Sequence, residues 1–151
     1  MLPPGRYVAT PEEVERIFVA SHFSSRTRGE IFKGWRRRSE ELKSLVEIEF
    51  EWLDGSFVTT KSDPGDLDVA TFIRGDRLAA ISIEDRRRVN DLTSGSCSKL
   101  EFGCDSYLVV IWDEGHSWHE QYLQWRGYWD HFWSRHRDNS DKGYVEVRES
   151  T

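Results

Sequence analysis

Between residues 46 and 52, apolar and acidic side chains alternate strictly. Val46, Ile48, Phe50 and Trp52 interleave with Glu47, Glu49 and Glu51. A period of two belongs to a strand with one buried and one polar face. A second strand-like run, Asp66 to Ile73, follows a polar loop that carries Lys61, Asp63, Pro64 and Gly65, and it closes at Arg74-Gly75-Asp76. The loop is too short for a crossover helix, so the two strands are expected to pair antiparallel. The rest of the chain must therefore organise around a sheet.

Helical patterns flank this pair. Thr10-Pro11-Glu12-Glu13 has the residues of a capping box with proline at the first helical position. Val14, Ile17 and Phe18, with Ser21 beyond them, give that helix its apolar face. Ser24-Ser25 breaks it and caps a second helix, expected from Arg26 to Leu45. Ile31, Trp35, Leu42 and Leu45 mark its buried side, and Arg36, Arg37 and Arg38 turn toward solvent. Residues 77–92 read as one helix that offers Leu78, Ala79, Ile81 or Ile83, and Val89 to the core. Thr93-Ser94-Gly95-Ser96 reads as a loop. A third strand is expected over Cys104–Ile111, a tryptophan-rich helix over Ser117–His136, and a short strand over Gly143–Val147. The predicted class is α+β: a small mixed sheet backed by helices, in a single domain spanning residues 1–151.

Composition narrows the function classes. Seven tryptophans in 151 residues, with 13% aromatic residues, mean that rings fill much of the core. A net charge of −6 argues against a chain whose main task is coating nucleic acid. No run approaches 18 apolar residues, which excludes a membrane-spanning helix. Met1-Leu2-Pro3-Pro4-Gly5-Arg6 lacks the basic start and apolar run of a secretory signal. Cys97 and Cys104 fit neither a zinc pattern nor a disulfide framework and read as reduced, mostly buried thiols of a cytoplasmic protein.

The stretch that carries chemistry is Trp52-Leu53-Asp54-Gly55-Ser56, nine residues of loop, then Asp66-Leu67-Asp68. Two residues apart on a strand, Asp66 and Asp68 leave the same face. Like charges so close raise each other's pKa unless a cation stands between them. Carboxylate, water and phosphate oxygens suit Mg²⁺ or Mn²⁺. Gly55 permits close approach of a backbone or phosphate, and the Ser56 hydroxyl with nearby amides can bind phosphate oxygens. A phosphate-gripping turn beside paired metal-binding carboxylates is equipment for nucleotidyl transfer.

The Gly55-Ser56 and Asp66-Leu67-Asp68 spacing resembles the signature of the nucleotidyltransferase superfamily that includes polymerase beta, especially its minimal bacterial members. Three stretches further resemble a small, uncharacterised bacterial family of nucleotidyltransferase-like proteins: Leu2-Pro3-Pro4-Gly5, Trp52-Leu53-Asp54-Gly55-Ser56-Phe57-Val58-Thr59, and Asp141-Lys142-Gly143-Tyr144-Val145. The resemblance implies a nucleotidyltransferase-like fold. It also implies that Asp66, Asp68 and a third acid hold two metal ions, the third acid also activating the attacking hydroxyl. Asp105 matches that third position, with Asp113 on the same strand-like stretch as the alternative. Gly55 and Ser56 would grip a nucleoside triphosphate, with Lys61 replacing the arginines that minimal members carry in this loop. The implied partners are the triphosphate and a toxin-like protein, in a toxin–antitoxin or phage-defence setting; RNA is a less favoured acceptor. The rival expectation is a non-catalytic, antitoxin-like module on the same scaffold.

Other features read more plainly. Trp118, Tyr122, Trp125, Trp129 and Trp133 recur at helical spacing and are expected to cover the sheet, the alternative being that one ring stacks on a base. His116 and His119 have no third ligand at a usual distance and read as exposed, and His131 and His136 carry no pattern. The basic residues of 26–38 and the run Arg86-Arg87-Arg88 read as solvated faces. Lys142-Gly143 reads as a turn, with the glycine at positive φ.

Overall fold

A computed structural model of the chain describes residues 2–135 and 141–149. Five strands form one mixed sheet: β1 (Gly5–Ala9), β2 (Phe50–Asp54), β3 (Leu67–Arg74), β4 (Cys104–Ile111) and β5 (Gly143–Val147), in the order β1-β5-β2-β3-β4. β2 runs antiparallel to β3 and to β5, whereas β3–β4 and β1–β5 are parallel. Helices α1 (Pro11–Phe18), α2 (Arg28–Leu45), α3 (Gly75–Ala80), α4 (Ile83–Leu92), α5 (Gly95–Phe102) and α6 (His119–Trp133) complete the described residues. The α+β class and the antiparallel central pair agree with the sequence reading.

The two sheet faces carry different cores. Val14 and Phe18 of α1 and Ile31 and Trp35 of α2 pack on Leu53, Val69 and Val145. This layer continues through Leu42, Ile73, Val89 and Leu92. On the opposite face, Tyr122 and Trp133 of α6 cover Trp52, Ala70, Phe72, Val109 and Tyr144, with Trp129 packed against them. Burial of such rings supplies the main hydrophobic stabilisation. The aromatic stripe only partly covers the sheet, because Trp118 and Trp125 stay about half exposed.

Capping chemistry sets the helix starts. Thr10 and Glu13 form the expected reciprocal box at α1. Ser25 Oγ accepts from the Arg28 amide at 3.2 Å, so α2 begins at Arg28 rather than Arg26. The expected single helix over 77–92 is two. Ile81 adopts an extended conformation, and Ser82 caps α4 by accepting from the Asp85 amide. Ala79 and Ile83 are exposed, while Val89 is buried.

Several expectations are corrected. Residues 46–49 lead into β2 rather than forming part of it, and all of β2 is buried because it lies between β5 and β3. Glu51 therefore faces the core, not solvent. Its carboxylate accepts from Trp35 Nε1 (3.1 Å), Ser39 Oγ (2.9 Å), Arg38 Nη1 (2.7 Å) and Thr71 Oγ1 (2.6 Å). Arg38, expected in solvent, is completely buried as its counter-ion. Gly5–Ala9 is an edge strand, not a polar lead, and owes its existence to backbone pairing with β5. Residues 95–102 form α5 instead of continuing a loop. Cys104 is buried but Cys97 is exposed. His116 is exposed as read, while His119 is half-buried with Nδ1 2.6 Å from the Trp112 carbonyl. Gly143 does not have positive φ; it is small because a β-carbon there would lie 2.3 Å from the Pro3 carbonyl oxygen. His136 lies outside the described residues.

Candidate functional site

Strand register builds the site. Asp54, the last residue of β2, is paired with Asp68 of β3, and Asp68 is paired with Asp105 of β4. Register partners on neighbouring strands share a sheet face. Asp66, two residues before Asp68, leads into β3 on the same side. Four carboxylates thus gather at one end of three adjacent strands, on the face covered by α6.

Three of them have partners of their own. Lys142 Nζ donates to both oxygens of Asp54, at 2.9 and 2.7 Å. Lys99 Nζ lies 3.0 Å from Asp66 Oδ2. The Tyr107 hydroxyl donates to Asp105 Oδ2 at 3.2 Å. Asp68, in the middle, has no cation within ion-pair distance among the described residues. Burial first, then the charges of Asp66, Asp105 and Asp54, push its pKa up to about 6, with Lys142 opposing. The hydrogen bond and charge of Asp66 raise Lys99, and burial, then Asp105, pushes the Tyr107 phenol up to about 12.

Two glycines press on this row. Gly55 follows Asp54 with φ +86°, and a β-carbon there would stand 2.6 Å from Asp68 Oδ2. Gly95, the first residue of α5, abuts Asp105 in the same way, with 2.6 Å to Oδ1. Ser56 opens a short turn, Ser56–Val58, directly after Gly55. The loop beyond is fixed from beneath by Arg28, which is fully buried. Its guanidinium donates to the carbonyls of Phe18 (2.9 Å), Phe57 (2.6 Å), Thr59 (2.8 Å) and Lys61 (2.7 Å). Lys61 thereby contributes its carbonyl to the loop clamp. Its side chain is exposed and makes no contact with the acids among the described residues.

The structure brings Asp66, Asp68, Asp105, Gly55 and Ser56 to one end of the sheet. Asp113 is elsewhere: it follows the far end of β4, about 26 Å of strand from Asp105 at 3.3 Å per residue, and pairs with Arg74. Of the two, only Asp105 lies beside Asp66 and Asp68 at that end of the sheet. Sequence reasoning missed Asp54, Lys99, Lys142 and Gly95 as neighbours of the acids. Asp54 was in view as part of the Gly-Ser block, and Lys142 as part of the C-terminal block. Nothing in the local pattern of Lys99 or Gly95 pointed to the acids: Gly95 reads as part of a loop, and the sequence reading assigns Lys99 to no element.

No three His, Cys, Asp or Glu side chains among the described residues are grouped to cage a metal by themselves. A Mg²⁺ ion needs no such cage, because it commonly takes one or two carboxylates and completes its shell with water and phosphate oxygens. Asp68 and Asp105 fit that requirement: among the described residues one lacks a cation within ion-pair distance, the other has only a phenol, and they leave the same sheet face from register positions of adjacent strands.

No helix among the described residues is long and apolar enough to cross a membrane. No curated protein and no solved structure matches the chain. Residues 1–148 match a family of unknown function, DUF6932, and the chain belongs to it.

Proposed function

We propose that this chain is a metal-dependent nucleotidyltransferase, moving a nucleoside monophosphate from a nucleoside triphosphate to a hydroxyl group. The observation that carries the reading is the register of Asp68 against Asp105, with the Gly55 turn closed directly onto Asp68. It joins the resemblance of the Gly55-Ser56 and Asp66-Leu67-Asp68 blocks to the polymerase beta superfamily. Asp68 and Asp105 would hold Mg²⁺ or Mn²⁺, and the bound ion supplies charge neutralisation at the phosphates. Ser56 and the amides of its turn bind phosphate oxygens. The acceptor oxygen bonds to the α-phosphorus as the bond to the bridging oxygen breaks. Pyrophosphate leaves, and Asp105 takes the hydroxyl proton.

A protein side chain is the favoured acceptor, because a net charge of −6 suits an RNA end less well. A cytoplasmic toxin–antitoxin or phage-defence role belongs to this reading, with a toxin-like protein as the modified partner. The test is incubation with α-labelled triphosphates and Mg²⁺ or Mn²⁺ in host lysate. Label moving onto a partner with the native chain, and not with Asp68→Asn, supports the proposal. Absence of triphosphate binding by calorimetry, with Asp66→Asn and Asp68→Asn changing nothing, overturns it.

One observation favours a second reading, a non-catalytic binding module. Trp125, Tyr128 and Phe132 form a ring-to-ring stripe on α6 and are each about half exposed. Exposed aromatic rows mark interaction surfaces. A partner that stays bound after loss of both acids and of metal would support the module.

A further inference from the structure

We infer that the open edge strand β4 and the aromatic stripe of α6 form one interface with a second copy of this chain, related by a two-fold axis through the sheet edge. In it, β4 pairs antiparallel with β4 of the copy, and the two α6 helices pack on each other. The inference goes beyond both readings above, since it needs neither the acids nor a foreign protein.

Strand β4 is the edge of the sheet. It pairs with β3 in unbroken register on one side, and no strand among the described residues pairs with the other. Edge strands of soluble chains are ordinarily blunted by lysine, proline, a bulge or short length. This one runs eight residues, Cys104–Ile111, and from Ser106 onward it reads Ser-Tyr-Leu-Val-Val-Ile, without a charge or a proline. Tyr107, Leu108, Val110 and Ile111 are only half-buried. Such a run is a template for another strand. An antiparallel copy of itself opposes no charge to charge within the run, so the strand is its own complement.

The aromatic stripe lies at the same edge. Trp118, Trp125 and Phe132 recur seven residues apart, with Tyr128 beside them, the spacing of a helix-packing seam. Each is about half exposed. The stripe leans to the β4 side. Tyr128 and Phe132 rest on Trp129, whose ring is 4.4 Å from that of Tyr107 in β4, and Trp118 is 5.1 Å from Trp112, directly after β4. Asp130, on the other side of the helix, reaches Tyr144 of β5 and Arg6 of β1. A two-fold perpendicular to the sheet leaves both α6 helices on one face and brings the stripes together across the axis. Charge permits this. The chain carries a net −6, so copies repel where acids meet, but the two acids of α6, Glu120 and Asp130, lie off the stripe. Area also suffices. Four half-exposed rings offer about 400 Å² per copy. With the β4 edge added, the contact approaches the value of about 800 Å² per partner typical of stable interfaces.

Sedimentation velocity of the full chain at tens of micromolar is expected to give twice the chain mass, in low and in high salt alike, because the contact holds no ion pairs. Trp125→Glu with Tyr128→Glu places charges in the seam at half-exposed side chains. That double variant is expected to keep the native circular dichroism and to sediment as a monomer. Gln121→Glu, at an exposed polar position of the same seam, is the milder variant and is expected to weaken the dimer several-fold. Leu123→Glu, as exposed as Trp125 but on the opposite side of α6, is expected to remain a dimer. Amide exchange reads the strand contact: residues 106–111 are expected to exchange faster in the monomeric double variant than in the native dimer. A native monomer overturns the inference, as does a dimer that dissolves in high salt or is untouched by the seam variants. A monomeric Leu123→Glu chain, or equal exchange across β4 in native and double-variant protein, overturns it equally.

Discussion

A β-carbon on Gly55 would stand 2.6 Å from Oδ2 of Asp68. The residue that follows β2 and the central acid of the row are therefore in contact through the absence of a side chain. Two effects oppose any larger residue here: the clash with the carboxylate, and a φ of +86° that side chains other than glycine rarely adopt. Gly55→Ala is expected to cost about 1–3 kcal/mol of stability. In an Asp68→Ala background the same change should cost less, since only the backbone part remains. Urea unfolding of the four proteins in the cycle measures the difference, and equal costs in both backgrounds would remove the claimed contact.

Asp68 gives the site a pH signature. Its pKa is raised from 3.8 to about 6 by burial and by the neighbouring acids. The folded chain therefore binds this proton more tightly than the unfolded chain. Ionised Asp68 penalises the fold: the cost is absent below pH 3.8, grows between 3.8 and 6, and is complete above 6. Solvent screening of a partly exposed site trims the full linkage value to about 2 kcal/mol. Asp68→Asn is expected to raise Tm at pH 8 and to leave it nearly unchanged at pH 3.5. A cation that binds the ionised form should reverse the penalty, so Mn²⁺ is expected to raise the native Tm at pH 8 far more than at pH 5.

The buried Arg38–Glu51 pair is a separate test of the core. Burial would raise the Glu51 carboxyl, but the Arg38 charge, with hydrogen bonds from Thr71, Arg38 and Ser39, holds it below its ordinary 4.5. A depressed carboxyl stabilises the fold above its unfolded value, and that support is lost as pH falls below about 4.5. Glu51→Ala leaves a buried guanidinium without its partner and is expected to cost about 3–5 kcal/mol. Arg38→Met with Glu51→Leu should cost much less than the two single changes combined, because no charge is stranded. Chemical denaturation of the single and double variants reads the coupling.

Strands Cys104–Ile111 and Gly143–Val147 were legible because their apolar runs are bounded by turn residues. Asp66, Asp68 and Asp105 were legible as candidates because two share a strand period and the third is the position that the resemblance to the polymerase beta superfamily implies. Arg38 and Glu51 were misread for one reason: each looked like a solvated charge in its own segment, and only the pairing of Glu51 with Thr71, with Arg38 of α2 bonded to both, brings them together in the core. Lys142 reaches Asp54 across 88 residues of chain. Long-range pairings of this kind leave no local periodicity. Helix α5 was hidden because Thr93-Ser94-Gly95-Ser96 is turn-like in composition, while Gly95 is there for the close approach of Asp105.

Gly34 lies in the interior of α2, where alanine is ordinarily the better helix former by about 1 kcal/mol. Here the expected sign is reversed. A β-carbon at residue 34 would fall 2.1 Å from the carbonyl oxygen of Phe102, the last residue of α5, and backbone cannot swing aside as a flexible side chain can. Gly34→Ala must therefore push α5 away from α2. That helix holds Gly95 against Asp105 and Lys99 on Asp66, so a displacement should loosen both contacts. The expected result is a loss of about 1–3 kcal/mol, the usual range for overpacking, together with faster amide exchange across residues 95–102. An alanine variant as stable as the native chain, with α5 amides equally protected, would mean that α5 is not braced by α2 and that the acid row is positioned by the sheet alone.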